Sequence, residues 1–415
     1  MINNADYSKI YTSLGIFILL VIFIINMSIL IPANKVSSSE HNLFIELLGK
    51  SPSQVETKLN CAWDQLFYGD NNTRRIYYPV GTDMAYIKDV LHNNVCSEGM
   101  SYGMMIAVQL NKKVEFDCLW KWAKTYMQHG SGPRKNCFAW LLNTDGTIID
   151  INSASDGEEW LAMALFFASA RWGNGTGIYN YRAEAQTILD TMLNKEITSE
   201  NNDELTRMFN KTEKQVVFAP IGSAATFTNP SYHLPHYYEL WGRWADKDNE
   251  FWLSAASVSR QFLKKTAHLT TGLTPDYARF DGTPTDLHNG GHNDFRFDAW
   301  RVAMNIAIDY TWFAKDSWAI TQSNRLLDFF QSEGVGKYGN QYTLDGKELS
   351  SDHSPGLVAM NAVACLASTN SNRINFVQEL WNTSIPSGAE RYYDGMLYML
   401  AMLQLSGNFK IYEPK

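Results

Sequence analysis

Cysteine is scarce and badly placed for a framework: Cys61, Cys96, Cys118, Cys137 and Cys365 are odd in number and show no CxxC spacing. That excludes a zinc ribbon and a dense disulfide scaffold, and leaves room for one disulfide if the chain is exported. Positive charge is thin as well. With 35 Lys and Arg against 43 Asp and Glu, the net charge is −8 and no basic run interrupts it, so nucleic acid is not an expected partner. There is no phosphate loop and no Ser-x-x-Lys nucleophile motif. His288 and His292 stand four apart, but Gly290 and Gly291 between them disfavour the helix that would turn this spacing into a metal site. No cofactor or metal is expected. No repeat of fixed period is visible, which argues against a regular solenoid.

Apolar and aromatic residues are plentiful instead, at 45% and 13% of the 415 residues, with thirteen Trp. Much aromatic surface is either core or a platform for the flat apolar face of a ligand. Leu14 to Ile31 is an uncharged apolar run at the lower limit of a membrane span and longer than most signal-peptide cores. It reads equally as a cleaved signal or a retained anchor, so residues 1–38 are assigned to export or tethering and 39–415 to one catalytic domain. The chain is expected outside the cytoplasm, periplasmic, extracellular or anchored facing outward.

The domain reads as helices of alternating character. Ser51-Pro52 is a cap followed by proline at the first helical position, opening a helix to about Tyr68. Glu115 to His129 has one apolar face, and Asp156 to Ala170 is apolar nearly all round. One-sided candidates follow at 181–195, 248–265, 316–333 and 373–382, and apolar ones at 230–244, 298–313, 355–368 and 391–406. Six inner and six outer helices in alternation predict an all-α closed double ring, an (α/α)6 barrel, with an open superhelix of hairpins as the other arrangement. Ile76 to Leu91 and Gln215 to Ala219 are expected to form small hairpins on top.

Three inner helices begin with an acid. Met100 to Leu110 is too apolar to face water; Ser97 is the expected N-cap and Glu98 lies in the first turn. Asp156, with Glu158 and Glu159, opens the second inner helix, and Asp298 the fourth, with Arg301 one turn on and able to hold a neighbouring carboxylate. Each acid alone reads as a capping or dipole-answering residue. In a ring, however, those helix ends converge on one mouth. A mouth lined by carboxylates and aromatics suits glycosidic-bond cleavage, which needs one protonated acid for the leaving oxygen and one ionised carboxylate. The helix dipole would lower the pKa of Glu98, so burial and the charge of Asp156 must outweigh it for Glu98 to serve as an acid.

Ser97-Glu98-Gly99-Met100-Ser101-Tyr102-Gly103, Ala154-Ser155-Asp156-Gly157-Glu158-Glu159-Trp160, Pro230-Ser231-Tyr232 and Phe297-Asp298-Ala299-Trp300-Arg301 resemble, in order and spacing, the motifs of glycoside hydrolase family 8. The resemblance implies an (α/α)6 barrel and an inverting mechanism. It implies Glu98 as general acid, Asp298 as general base, Asp156 as the residue holding the sugar distorted, Tyr232 as positioning the attacking water, and Arg301 as a supporting contact. Within the family, Ala62-Trp63-Asp64-Gln65-Leu66-Phe67-Tyr68-Gly69, the run Phe116 to Met127 and Asp352-His353-Ser354 are similar to the reducing-end xylose-releasing exo-oligoxylanases. There a loop histidine closes the cleft beyond the first leaving sugar. His353 is expected in that place, its alternative being an ordinary loop histidine. Trp140 is expected as a stacking platform, its alternative being a core residue.

The expected function is thus release of xylose from the reducing end of xylo-oligosaccharides, by a monomer. Endo-action within the same family and a non-catalytic sugar-binding ring are the alternatives. Inverting chemistry further requires the Glu98 and Asp298 carboxyls to stand about 6.5–9.5 Å apart, leaving room for a water, rather than about 5–5.5 Å as in retaining enzymes.

Overall fold

The computed structural model describes residues 41–200, 203–287 and 289–414. The N-terminal segment 1–38, with Leu14 to Ile31, and His288 lie outside them. Among the described residues no helix is long and apolar enough to cross a membrane.

Among the described residues thirteen α-helices follow one another: α1 (Leu43–Leu48), α2 (Pro52–Tyr68), α3 (Ser97–Gln109), α4 (Lys113–Trp122), α5 (Ser155–Trp172), α6 (Tyr181–Asn194), α7 (Pro235–Trp244), α8 (Asn249–Thr266), α9 (Trp300–Phe313), α10 (Trp318–Glu333), α11 (Pro355–Ala364), α12 (Arg373–Asn382) and α13 (Arg391–Leu405). The odd-numbered ones from α3 onward form the inner ring. α3 packs on α5, α7 on α9, α9 on α11, α11 on α13, and α13 back on α3. Between α5 and α7 the contact is aromatic, Trp160 lying edge-on to Tyr237 at 5.2 Å. The ring is therefore closed. α2 packs on α13 and α4, α6, α8, α10 and α12 on the inner helices that precede them, giving the (α/α)6 barrel.

Burial explains the two kinds of helix. In α3, Met104 to Val108 are all fully buried, as are Leu161 to Ala168 in α5, since each inner helix touches two inner neighbours and an outer one. The outer helices keep one wet face. α2 starts as its sequence dictates: the Ser51 side chain accepts from Gln54 N–H, the Gln54 side chain returns the bond to Ser51 N–H, and Pro52 stands at the first helical position. On the far side of the ring, buried Arg260 of α8 clamps Asp309 of α9 with two hydrogen bonds of 2.7 and 2.6 Å and Glu239 of α7 with one of 2.8 Å.

Small antiparallel sheets lie over the loops. β1 (Tyr77–Val80) pairs with β2 (Met84–Ile87), and β3 (Asn94–Cys96) with β4 (Leu141–Asn143), which pairs with β5 (Ile148–Asp150). A two-residue pairing of Phe209–Asn210 with Gln215–Val216 is all that forms of the second expected hairpin. The β3–β4 ladder also corrects the cap of α3. It runs on through a bond from Ser97 N–H to Trp140 O at 2.9 Å, so Cys96 remains extended at the N-cap and Ser97 becomes the first helical residue. All five cysteines are free thiols, so the single disulfide that export would have allowed is not formed.

Eight of the thirteen tryptophans, Trp63, Trp120, Trp122, Trp160, Trp241, Trp252, Trp300 and Trp312, are buried, so most of this aromatic content is core.

Candidate active site

Because the inner helices start at one end of the ring, side chains remote in sequence meet there. Arg301, in the first turn of α9 and only 2% exposed, is the centre. Its Nη1 lies 2.6 Å from Oε2 of Glu98 (α3) and 3.4 Å from Oδ2 of Asp156 (α5), while Nη2 lies 2.9 Å from Oδ1 of Asp298, just ahead of α9. Nη1 also donates to the Tyr102 hydroxyl at 2.6 Å. Glu98 and Asp298 thus stand at opposite ends of one guanidinium, spaced by its fork and a hydrogen bond on either side. Both keep solvent access, with side chains 21% and 28% exposed, whereas that of Asp156 is only 4% exposed.

The three carboxylates are held differently. Asp298 accepts a second bond at Oδ2 from the Asn229 amide at 2.7 Å. Asp156 accepts the Gly157 N–H at 2.9 Å, and its pKa is raised to about 6 because burial outweighs Arg301. Glu98 accepts at Oε1 from the Tyr392 hydroxyl at 3.1 Å. Its pKa is pushed up to about 7, first by burial, against Arg301, and then by the charges of Asp156 and Asp298. Desolvation and carboxylate repulsion therefore overcome the helix dipole, and at neutral pH Glu98 is available both with and without its proton.

Tyr232, 5% exposed, joins from the short turn before α7: its ring stacks parallel to Phe218 at 5.8 Å and lies 5.9 Å from the Arg301 guanidinium carbon. So Glu98, Asp156, Tyr232, Asp298 and Arg301 come together. Glu158 and Glu159 do not. Glu158 accepts the Phe138 N–H at 3.0 Å and Glu159 the Tyr238 hydroxyl, both deep in the protein. Burial raises the Glu158 pKa to about 8.

An open cleft of about 800 Å³ adjoins the cluster, with Glu98 and Asp298 on its floor and Leu91, Phe297, Tyr392 and Tyr393 among its walls. Leu91 and Phe297 are 50% and 47% exposed, which is unusual for such side chains and provides apolar surface next to the acids. Trp140 is only half-buried, one residue before β4, and its carbonyl receives the Ser97 N–H beside the Glu98 turn. Its side chain is not among those lining this cleft.

His353 stands between Asp352 and Ser354, which line the cleft, and its imidazole contacts the Tyr338 carbonyl and Glu379. His292, the other histidine of the glycine-rich pair, is likewise engaged, bonding Asp276 at 3.2 Å and stacking on Tyr277 at 4.1 Å.

Four contributors were not foreseen. Tyr102, Asn229 and Tyr392 bond the cluster directly, and buried Asp276 accepts the Ala299 N–H at 3.0 Å, fixing the turn that carries Asp298. Tyr392 had a signal, because it opens the last inner helix as Glu98 and Asp156 open theirs. Cys96 then backs Tyr392, its Sγ 2.8 Å from the hydroxyl, as a thiol whose pKa burial raises to about 12.

Comparison with known proteins agrees with this geometry. A model of "Glycosyl hydrolases family 8" matches residues 87–407. A reducing-end xylose-releasing exo-oligoxylanase of Paenibacillus barcinonensis is 45% identical over 89% of this chain and 96% of its own length. Another of Halalkalibacterium halodurans is 42% identical over 90% and 95%. Among solved structures, a catalytic-mutant xylohexaose complex of a family 8 xylanase from Teredinibacter turnerae superposes with a TM-score of 0.88, at 46% identity, over 91% of this chain and all of that one.

Proposed function

This chain belongs to glycoside hydrolase family 8, and on that footing we propose that it hydrolyses xylo-oligosaccharides with inversion, releasing xylose from the reducing end. The observation that carries the reading is the single guanidinium of Arg301 holding Glu98 and Asp298 on either side. Glu98, kept partly protonated by burial, gives its proton to the glycosidic oxygen as the bond to the anomeric carbon breaks. Asp298, ionised and held by Arg301 and Asn229, takes a proton from a water that attacks that carbon from the opposite face. Tyr232 places the water, and Asp156 binds the sugar whose ring is being flattened. The balance is one water consumed and one sugar–sugar bond cut, after which Asp298 releases its proton to solvent and Glu98 regains one from it.

Support for the substrate comes from the names of the two relatives above and from Leu91 and Phe297, which offer apolar surface to sugar faces beside the acids. The test is chromatography of products from xylotriose with a free and with a chemically reduced end. Reducing-end action predicts xylose from the first and no cleavage of the second.

Endo-action is the second reading. It is favoured by the similarity to a family 8 xylanase solved with xylohexaose. It predicts that both forms of longer oligomers are cut internally. We further propose that the protein works as a monomer, since the whole cluster comes from one chain, and that the apolar run Leu14 to Ile31 exports or tethers it. Cell fractionation of the full chain, with N-terminal sequencing of the product, tests the latter.

A further inference from the structure

The imidazole of His353 sits between two acceptors. Its Nδ1 lies 2.8 Å from the carbonyl oxygen of Tyr338, and its Nε2 lies 3.0 Å from Oε1 of Glu379 on α12. A neutral imidazole donates from one nitrogen and presents a lone pair at the other, so here it would set lone pair against lone pair. Only the imidazolium satisfies both contacts. Glu379 accepts throughout, taking the Gly336 N–H at 2.7 Å on Oε1 and the Tyr338 hydroxyl at 2.8 Å on Oε2. The Tyr338 ring stands edge-on to the imidazole at 4.6 Å. The groups facing His353 are thus Glu379 from α12 and Tyr338 from the preceding loop. Its side chain remains 31% exposed, so water can reach it and exchange its proton.

This arrangement fixes the residues on either side of the ring. Asp352 and Ser354 face the cleft. Ser354 is held a second time, its hydroxyl receiving the Asn340 amide at 2.7 Å, while the Asn340 carbonyl takes the Trp300 indole N–H at 3.0 Å. Among the described residues the Asp352 side chain has no such brace, and its backbone N–H reaches Ser350 Oγ at 3.3 Å. The place of Asp352 in the wall therefore depends on its neighbour's ring.

We propose that His353 is a charged latch: as the imidazolium it ties the 351–354 loop to α12, sets where Asp352 stands in the cleft wall, and so makes selectivity for sugar-chain length respond to pH. The selectivity part rests on the oligosaccharide reading of the cleft; the latch itself does not. Glu379 and the Tyr338 carbonyl raise the His353 pKa, burial opposing them. The latch is accordingly closed at low pH and opens as pH rises through that value.

Two measurements on the full chain test this. The first is an NMR titration of the His353 ring, assigned by its loss in His353→Asn. It should give a value above the ordinary one of about 6.5 in the wild type, falling by about one unit in Glu379→Gln. The second uses xylotetraose labelled at its reducing end and reads labelled xylobiose against labelled xylose over pH. In the wild type the ratio should rise several-fold as His353 loses its proton, and in Glu379→Gln that rise should come at lower pH. In His353→Asn the ratio should be high and flat. A wild-type value at or below the ordinary one, or a ratio that the variants leave unmoved while xylose is still released, overturns the latch. If the wild type cleaves no xylo-oligosaccharide, the functional reading falls and the titration still decides the latch.

Discussion

Tyr392→Phe removes one hydroxyl from the cluster and should move the basic limb of the pH profile upward. The phenolic O–H lies 3.1 Å from Oε1 of Glu98 and steadies the carboxylate, so its loss favours the protonated acid. A hydrogen bond to a charged group contributes about 1.5–3 kcal/mol, and this one is long for its type, so about 1 kcal/mol is a reasonable share. At about 1.36 kcal/mol per pH unit, that moves the limb by somewhat less than one unit. In the wild type the limb should fall near the Glu98 value of about 7. Asp156→Asn should do the opposite: the negative charge of Asp156 raises the Glu98 pKa, so neutralising it lowers the limb. The assay is kcat/KM for xylotriose, followed by product chromatography from about pH 5 to 9. Opposite shifts from two substitutions on either side of one carboxyl are hard to obtain by general damage. A limb that stays put in Tyr392→Phe, or moves the same way in both variants, would refute Glu98 as the group whose proton is lost.

Three further outcomes follow from the same geometry. Glu98→Gln and Asp298→Asn should each lower kcat on xylotriose by about 10²–10⁴-fold in steady-state assays, with thermal unfolding little changed. Gly99→Ala places a Cβ about 2.7 Å from the Tyr392 ring and hydroxyl, so it should displace that tyrosine and reproduce the upward limb shift of Tyr392→Phe, alongside a lower melting temperature. Glu158 is buried with a pKa near 8, above its unfolded value, so the folded state keeps a proton the unfolded chain has released; its stabilising contribution is complete below the unfolded value and is lost as pH rises towards 8. Glu158→Gln keeps the acceptor for Phe138 N–H and should therefore gain on the wild type by a few kcal/mol between about pH 5 and 8 in denaturant melts, and a constant difference would refute the assignment.

Wherever the chain's own periodicity decides structure, it could be read directly. The helix from Pro52 to Tyr68 carries its start signal in Ser51-Pro52 and Gln54, and Arg373–Asn382 matches the expected span. Inner helices were legible because burial on all sides leaves no polar stripe. Boundaries set by distant partners were less so. The expected helix from Glu115 to His129 ends its regular part at Trp122 and widens over Ala123–Met127, because Met127 and Gln128 are drawn into pairing with Phe138 and Ala139. Past Ala364, Cys365, Leu366 and Ala367 tighten into three-residue bonds, shortening the expected 355–368. In the site, the acids could be found because each stands at the start of an inner helix. Asn229 and Asp276 lie in loops whose approach to Asp298 is a property of the closed ring alone.

The closed ring also explains why the site holds a proton. Glu98, Asp156 and Asp298 bring three negative charges when fully ionised, and Arg301 is the cation that touches all three. In a desolvated mouth that imbalance is expensive, and binding one proton relieves it. Which carboxyl takes it follows from the donors each already has. Asp298 has Arg301 Nη2 and the Asn229 amide to itself and is the most open to water of the three; Glu98 shares Nη1 with Asp156 and Tyr102 and has otherwise only the long contact from Tyr392. Deeply buried Asp156 reaches about 6 against about 7 for Glu98, starting from the lower ordinary value of an aspartate and with the Gly157 N–H supporting its charge. The division between a proton donor and an ionised base thus comes from how unequally the ring's helix ends distribute one guanidinium and a few N–H and O–H donors among three carboxyls of similar intrinsic acidity.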